Sequence, residues 1–189
     1  MSSILTSRHF FAMIEVMEND HVDFIQAQWS KEKPDLDTSP MGVIGRISRI
    51  SRHLDPLLQQ NYSQFGLNGG EFDVLASLRR SGHPYQLTPT QLFNTLMLSS
   101  GAMTNRLDRL ENEGLIQRSP NPDDRRGILV TLTEKGIALM DKAYPAHLAN
   151  EDQILHALTM DERETLTDLL RKLLVSFEQT EQDNGSTAT

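Results

Sequence analysis

Asp73 and Arg80 are two charged residues of this sequence whose spacing suits ligand chemistry. They lie seven residues apart in a segment predicted to be helical, which is close to two full turns. Both side chains therefore project from nearly the same face, and their head groups can line one pocket. A guanidinium holds a planar anion through paired hydrogen bonds, while a carboxylate accepts hydrogen bonds from ring N–H groups. The alternative is that both are ordinary surface charges.

Other kinds of chemistry find little support in the residue types. The chain has no cysteine, which excludes disulfides, cysteine-based metal sites and thiol redox sensing. It contains no metalloprotease, phosphate-loop or hydrolase-elbow motif, so we expect neither an enzyme nor a bound cofactor. Among the six scattered histidines, His147 and His156 could join Glu151 in a metal-sensing site, although their spacing fits one helix face only loosely.

The composition is that of an acidic protein with one sizeable core. Of the 189 residues 38% are hydrophobic, and 26 acidic residues outnumber 18 basic ones to give a net charge of -8. This sign opposes binding to phosphates, but binding depends on the local field, and acidic residues concentrate in the C-terminal part. The sequence has no apolar run of about 18 residues and no signal-peptide pattern. We therefore expect a cytoplasmic protein.

Long helices are predicted at both ends of the chain. Apolar residues recur at helical spacing from about 8 to 31 and from 38 to 64. Thr133 has the position of a cap for a helix reaching about residue 158, which Pro145 should kink. A final helix from about residue 159 carries a continuous stripe of leucines. Beyond about residue 178 the chain is polar, and we expect it to be disordered.

Three short helices are predicted in succession between these long ones. Asn68 with Glu71, and Thr88 with Gln91, each have the spacing of a capping box, which marks the start of a helix. Ser99 can cap the third helix, which follows after a tight turn. This succession is typical of a helix-turn-helix.

A β-hairpin is predicted directly after the third short helix. Leu115 to Arg118 and Ile128 to Leu132 are short apolar or alternating runs, and the nine residues between them are polar, charged and rich in proline. The expected fold class is therefore mainly α, a winged helix-turn-helix with a two-stranded wing hairpin.

The segment LSSGAMTNRLDRLENEGLIQRSPNPDDRRGILVTLTEKG resembles the recognition helix, wing and following helix of MarR-family transcriptional regulators. The resemblance extends from about Met41 to the last helix. Its specific part is the succession Asn-Arg-Leu, Glu-Gly-Leu-Ile, Asp-Arg-Arg and Leu-Thr-Glu-Lys-Gly. The helix bearing Trp29, followed by PDLDTSPMGVIGRISRI and GEFDVLASLRR, is similar to the PecS-like, urate-responsive branch of that family.

The resemblance implies a homodimer on double-stranded DNA. Residues 1–64 and 134–178 would form a helical dimerisation region, 65–133 the winged helix-turn-helix domain and 179–189 a disordered tail. Two winged domains would then meet successive major-groove faces of a pseudo-palindromic operator. The apolar stripe of the final helix supports a dimer independently, because it needs a large partner surface; an intrachain core is the alternative.

The predicted DNA contacts lie on the third short helix and on the wing. Hydroxyl and amide side chains near a helix N-terminus can reach base edges, and an arginine beside a wing tip can enter the minor groove. For each single residue, the alternative is an ordinary solvated position. The predicted contacts are Ser99, Ser100, Thr104, Asn105, Arg109, Arg125 and Arg126.

The resemblance also implies a ligand-binding set of four residues, Trp29, Asp73, Arg80 and Arg106. In the implied mechanism, a small anionic aromatic ligand such as urate competes for the charges that hold Arg106. The recognition helix then shifts and releases DNA, and family precedent favours a repressor. The alternatives are a different phenolic or indolic acid, a metal, or a helical adaptor that has lost DNA binding. A filler role in the core is the alternative for Trp29.

Overall fold

The computed structural model of the chain describes residues 19–96 and 100–186. The chain divides into two compact units, residues 1–57 and 58–189, each of which is described by itself. The boundary between them falls inside a long helix.

The first unit contains helix α1, His21–Glu32, and most of helix α2, Ser39–Ser63. The N-terminus of α1 is fixed by a capping box, in which the Asp20 carboxylate accepts from the Val22 and Asp23 backbone N–H groups and Asp23 accepts from that of Asp20. Arg46 of α2 pairs with both of these carboxylates, at 2.8 Å from Asp20 and 2.6 Å from Asp23. These two ion pairs connect the N-terminus of α1 to α2.

The second unit holds the remaining elements in the expected order. The long α2 ends as predicted, with Gly66 just beyond it in the left-handed region at φ 71°. The elements that follow are α3 (Gly69–Arg80), β1 (Gln86–Leu87), α4 (Pro89–Leu96), α5 (Ser100–Asn112), β2 (Ile116–Asn121), β3 (Asp124–Leu132), α6 (Glu134–Ile154) and α7 (Met160–Ser186).

Local hydrogen bonds place three of these helix starts where the sequence predicts them. The Asn68 side chain accepts from the Glu71 N–H at 3.0 Å, and the Glu71 carboxylate accepts from the Asn68 N–H. This reciprocal pair caps α3. Thr88 and Gln91 make the same reciprocal pair at the start of α4. Thr133 accepts from the Gly136 N–H at 3.0 Å and caps α6.

The core of the second unit joins the three short helices to the sheet and to α6. Buried side chains come from α3, α4, α5, β2, β3 and α6, so a single apolar cluster connects these elements. The most deeply buried of its large members are Leu75, Leu78, Leu92, Leu110, Ile116 and Met140.

The sheet has three antiparallel strands in the order β1-β3-β2, one more than the predicted hairpin. The additional strand is the two-residue β1, which pairs Gln86 with Thr131. The prediction of a nine-residue wing loop was wrong, because the ladder of β2 and β3 continues until only residues 122 and 123 remain in the turn. A register shift at Pro120/Asn121 accommodates the proline, which has no N–H to donate to the ladder.

The last helix extends beyond its predicted end. Residues 179–189 were expected to be a disordered tail, but α7 continues to Ser186, since Gln and Glu are good helix formers. Large apolar side chains of α7 are exposed in the single chain, among them Leu169 at 62% and Phe177 at 57%. In residues 19–96 and 100–186, no helix is long and apolar enough to cross a membrane.

Candidate functional site

Helix α5 presents a polar N-terminal face because its apolar face is fixed in the core. Met103, Leu107 and Leu110 are almost fully buried at helical spacing. Thr104 and Asn105 lie between them in sequence and are exposed, as a face that reads base edges must be. Ser100 begins the helix. The predicted contact Ser99 lies outside the described residues.

Arg109, predicted to contact DNA, has a partner within the chain. Its Nε lies 3.1 Å from Oε1 of Glu71, and the arginine side chain remains 60% exposed whereas Glu71 is almost fully buried. The second oxygen of Glu71 accepts the Asn68 N–H at 2.9 Å, so one carboxylate serves both the cap of α3 and the arginine. The pair connects α5, the helix that matches the recognition helix in the family resemblance, to the start of α3.

Arg106 lies against the start of the same helix α3. A Cβ added to Gly70 would lie 2.2 Å from the Arg106 Cζ, so the guanidinium packs on bare backbone where every other residue type would obstruct it. Its Nη1 is buried and has no hydrogen-bond partner among residues 19–96 and 100–186. A buried guanidinium nitrogen that lacks an acceptor is well suited to receive an anion.

Asp73 lies in the electrostatic field of three cationic or titratable side chains. Burial raises the pKa of the Asp73 carboxyl, and attraction to Arg106, His147 and Arg80 offsets part of that rise. Burial also raises the pKa of Tyr62, with a smaller contribution from the charge of Asp73. The structure therefore brings together Asp73, Arg80 and Arg106, three of the four residues in the implied ligand set.

The fourth residue, Trp29, lies on α1 in the first unit, where its side chain is 44% exposed.

Aromatic rings from α2, α3 and α6 pack around His147, which interacts electrostatically with Asp73. The His147 ring lies 4.7 Å from Phe72 and 5.4 Å from Tyr62, measured between ring centroids. Its Nδ1 is buried and finds no hydrogen-bond partner in the part of the chain that the structure describes. Sequence reasoning placed His147 only in a loose metal set. No sequence signal showed that it faces Asp73, because that depends on how α6 packs on α3.

Arg80 also lines a cavity of about 310 Å³ between α3 and α6, together with Tyr144 and Pro145. The neighbouring Arg79 is held by Asp141 at 2.9 Å and packs its guanidinium over the Tyr85 ring. A second cavity of about 480 Å³ lies between α4, α5 and the wing, lined by Thr104, Arg118 and six other residues.

The wing is attached to the recognition helix by Arg118, which sequence reasoning missed. This β2 residue lies 2.7 Å from Asp108 and 2.5 Å from Glu111, both on α5. The Arg118 hydrogen bonds lower the pKa of Glu111 below its ordinary value. The predicted contacts Arg125 and Arg126 lie in β3 just after the turn, within the strand and not in a long flexible tip.

The alternative roles considered for other polar residues gain little from the geometry. His147 pairs with Glu151 at 3.2 Å, but His156 bonds the Gln153 carbonyl instead. Within the described part of the chain, no three His, Asp or Glu side chains are grouped closely enough to hold a metal.

Comparison with known proteins gives a consistent family assignment. The sequence model of the MarR family matches residues 67–128. The HTH-type transcriptional regulator PecS of Dickeya dadantii (strain 3937) is 42% identical over 151 residues, which cover 80% of this chain and 90% of PecS.

Solved structures agree with these sequence relatives. A mutant of MarR from E. coli, complexed with operator DNA, superimposes with a TM-score of 0.63 at 32% identity, covering 77% of this chain and 97% of that one. The structure of Bordetella bronchiseptica BpsR, whose DNA binding is regulated by 6-hydroxynicotinic acid, has a TM-score of 0.62 at 26% identity, covering 70% of this chain and 98% of BpsR.

Proposed function

The chain belongs to the MarR family of transcriptional regulators, and we propose that it represses transcription as a homodimer on a pseudo-palindromic operator until a small anionic aromatic ligand such as urate releases it. The main support for this proposal is the Asp73–Arg80–Arg106 group. Arg106 lies on the recognition helix α5, so a ligand bound by these residues would act on that helix directly. Relatives that are transcriptional regulators also agree with the expectation that the chain is not an enzyme.

The proposed DNA surface is the N-terminal half of α5 with the wing. Thr104 and Asn105 are exposed beside a buried apolar face, so their orientation is set by the core. The complex of the MarR mutant with operator DNA supports DNA binding by this fold. Ser99, Ser100, Arg125 and Arg126 complete the proposed surface. For Arg109, we propose that a DNA phosphate competes with Glu71.

The proposed dimer rests on apolar surface that the single chain leaves open. Within the stripe Leu169 is 62% exposed and Phe177 57%, and single proteins rarely leave so continuous a stripe in water. The exposed large apolar residues of α7 are Met160, Leu166, Leu169, Leu170, Leu174, Val175 and Phe177. Leu169→Glu should give monomers in light scattering after size exclusion, whereas Gln179→Glu, which adds the same charge at an exposed residue of α7 away from the leucine stripe, should remain dimeric. Dimers of both variants would count against the interface.

The proposed effector is held by opposite charges around Asp73. Arg80 and the orphaned Nη1 of Arg106 would bind the anionic edge of the ligand, and Asp73 would accept from a ring N–H group. The role of Trp29 rests on the family resemblance. A ligand that withdraws Arg106 from its place on Gly70 acts directly on α5, which carries the DNA-reading face. Regulation of BpsR by 6-hydroxynicotinic acid supports an aromatic acid as the ligand class.

DNA reading is tested by fluorescence anisotropy with duplex DNA from the upstream region of the chain's own gene. Asn105→Ala should weaken specific binding by about 1–3 kcal/mol, the scale of one lost base contact. The matched control is Asn112→Ala, an exposed amide at the other end of α5, which should change affinity by less than about 0.5 kcal/mol. Equal affinity of wild type for operator and scrambled DNA would refute sequence-specific binding and favour the adaptor alternative.

A further inference from the structure

A cavity of about 500 Å³ lies on the side of the recognition helix where the end of α5 meets the start of α6. We call it the outer cavity. Its walls come from the loop after α2, the C-terminal half of α5 and the first turns of α6. It is separate from the Asp73 group: Glu71 lines it, and residues two apart on a helix project about 200° apart.

The apolar wall of the outer cavity is part of the folded core. Leu67, Leu110 and Leu115 all line it, and each is at most 5% exposed. Because these side chains are fixed by packing on their other sides, the wall is preformed. Its volume lies within the range of about 300–1,000 Å³ that is usual for small-molecule sites. The cavity can therefore accept an apolar ring without rearrangement of the core.

The polar side of the outer cavity carries an excess of positive charge. Three cations, Arg109, Lys135 and Lys142, line it against two acids, Glu71 and Glu113. The charge of Glu71 is already matched by Arg109 at 3.1 Å. The Lys135 ammonium donates to the Glu113 backbone carbonyl at 2.5 Å.

Neither Lys142 nor Lys135 forms an ion pair with a carboxylate in the described ranges. The Lys135 ammonium is held by the Glu113 carbonyl, which leaves the Lys142 ammonium available at the rim of the outer cavity.

We propose that the outer cavity binds a small amphipathic carboxylate, with an aromatic body on the leucine wall and its anionic group at Lys142. An apolar wall beside an unpaired cation matches both halves of such a ligand, whereas a neutral apolar molecule would gain nothing from the ammonium. Arg109 and Leu110 lie in the recognition helix, so the occupied cavity would contact the element that reads DNA. This would be a second ligand site, independent of the Asp73 group.

The probe that tests this proposal is 2-naphthoate, measured by equilibrium dialysis against the full chain. All proteins carry Arg80→Ala, so that the proposed effector pocket contributes little to the binding. Ala138 lines the cavity from an exposed position on α6, and Ala138→Trp should fill the space and abolish saturable binding without disturbing the core. Lys142→Glu should weaken binding roughly fivefold, the scale of one attraction lost and one repulsion gained.

The matched control is Lys33→Glu, which makes the same charge change at an exposed residue of the first unit. It should bind 2-naphthoate like the parent protein. The proposal is overturned if the parent shows no saturable binding, or if Ala138→Trp and Lys142→Glu both bind like the parent while their thermal unfolding shows an intact fold. Because the Arg80→Ala background is common to all proteins, this result does not depend on whether urate acts at the Asp73 group.

Discussion

The substitution Gly70→Ala should weaken ligand binding while leaving the thermal stability of the protein nearly unchanged. In Gly70→Ala the new Cβ would lie 2.2 Å from the Arg106 Cζ, 2.3 Å from Nε and 2.6 Å from Nη2. Carbon atoms in contact are about 3.5 Å apart or more, so the guanidinium must retreat by roughly 1.3 Å. It lies at the end of a flexible side chain, and retreat is cheaper than a shift of either helix.

The consequence should appear in ligand binding and not in stability. Displacing Arg106 removes its orphaned Nη1 from the proposed anion site and weakens the field that opposes the raised pKa of Asp73. Loss of one buried charged contact is worth about 1.4 kcal/mol or more, which corresponds to at least a tenfold weaker Kd for urate. Thermal unfolding should move little, because alanine is also the better helix former.

Gly69→Ala is the matched control, one residue earlier in the same helical turn. Its Cβ would meet only the Tyr62 ring, at 3.3 Å and 3.6 Å, and would leave Arg106 in place. Isothermal titration of both variants with urate makes the comparison, with circular dichroism melts to check folding. Equal urate affinity in the two alanine variants would refute the reasoning, as would an unfolding midpoint for Gly70→Ala far below that of Gly69→Ala.

Three further predictions concern the ion pairs and the titrating groups. Arg118→Ala should lower stability by about 1 kcal/mol and weaken operator binding, because the wing loses its link to Asp108 and Glu111; unchanged DNA affinity would contradict this. Since the folded state lowers the pKa of Glu111, its stabilisation is fully present above the unfolded pKa of about 4.3 and is lost as the pH falls below it. Glu111→Gln should therefore cost about 0.5 kcal/mol at pH 7 and progressively less at acid pH in denaturant titrations. The folded state raises the pKa of Asp73, so its ionised form destabilises the fold. Asp73→Asn should therefore be more stable than wild type at pH 7, while binding urate poorly. The gain in stability should vanish below the unfolded pKa of about 3.9.

Local chemistry made much of the fold predictable. Capping boxes at Asn68 and Thr88, and the cap at Thr133, are closed by hydrogen bonds within three residues, so the sequence alone contains both partners. The apolar face of α5 follows helical spacing for the same reason. Hairpin length was less predictable, because the ladder past Pro120 depends on a register shift that spacing does not reveal.

The contacts that define the site depend on tertiary packing and were less accessible to sequence reasoning. Glu71 was identified as a cap, but its second role as partner of Arg109 needs the approach of α5 to α3. The sequence predicts Arg118 only as the last residue of a strand, because its contact with α5 depends on how the sheet packs against that helix. His147 faces Asp73 because of how α6 crosses α3, and no periodicity in α6 indicates that partner.

The central claim is that an anionic aromatic ligand at the Asp73 group releases the protein from DNA. The most direct measurement is the fluorescence anisotropy of labelled upstream DNA bound to wild type, Arg80→Ala or Arg171→Ala while urate is titrated. Arg171→Ala is the matched control, because Arg171 is an exposed arginine of α7 that is remote in sequence from the site. We predict that all three bind the DNA specifically, and that urate releases wild type and Arg171→Ala but needs at least tenfold higher concentration for Arg80→Ala. Equal release of Arg80→Ala and wild type would contradict the proposed site, and specific binding that neither urate nor other aromatic acids reverse would contradict ligand-controlled release.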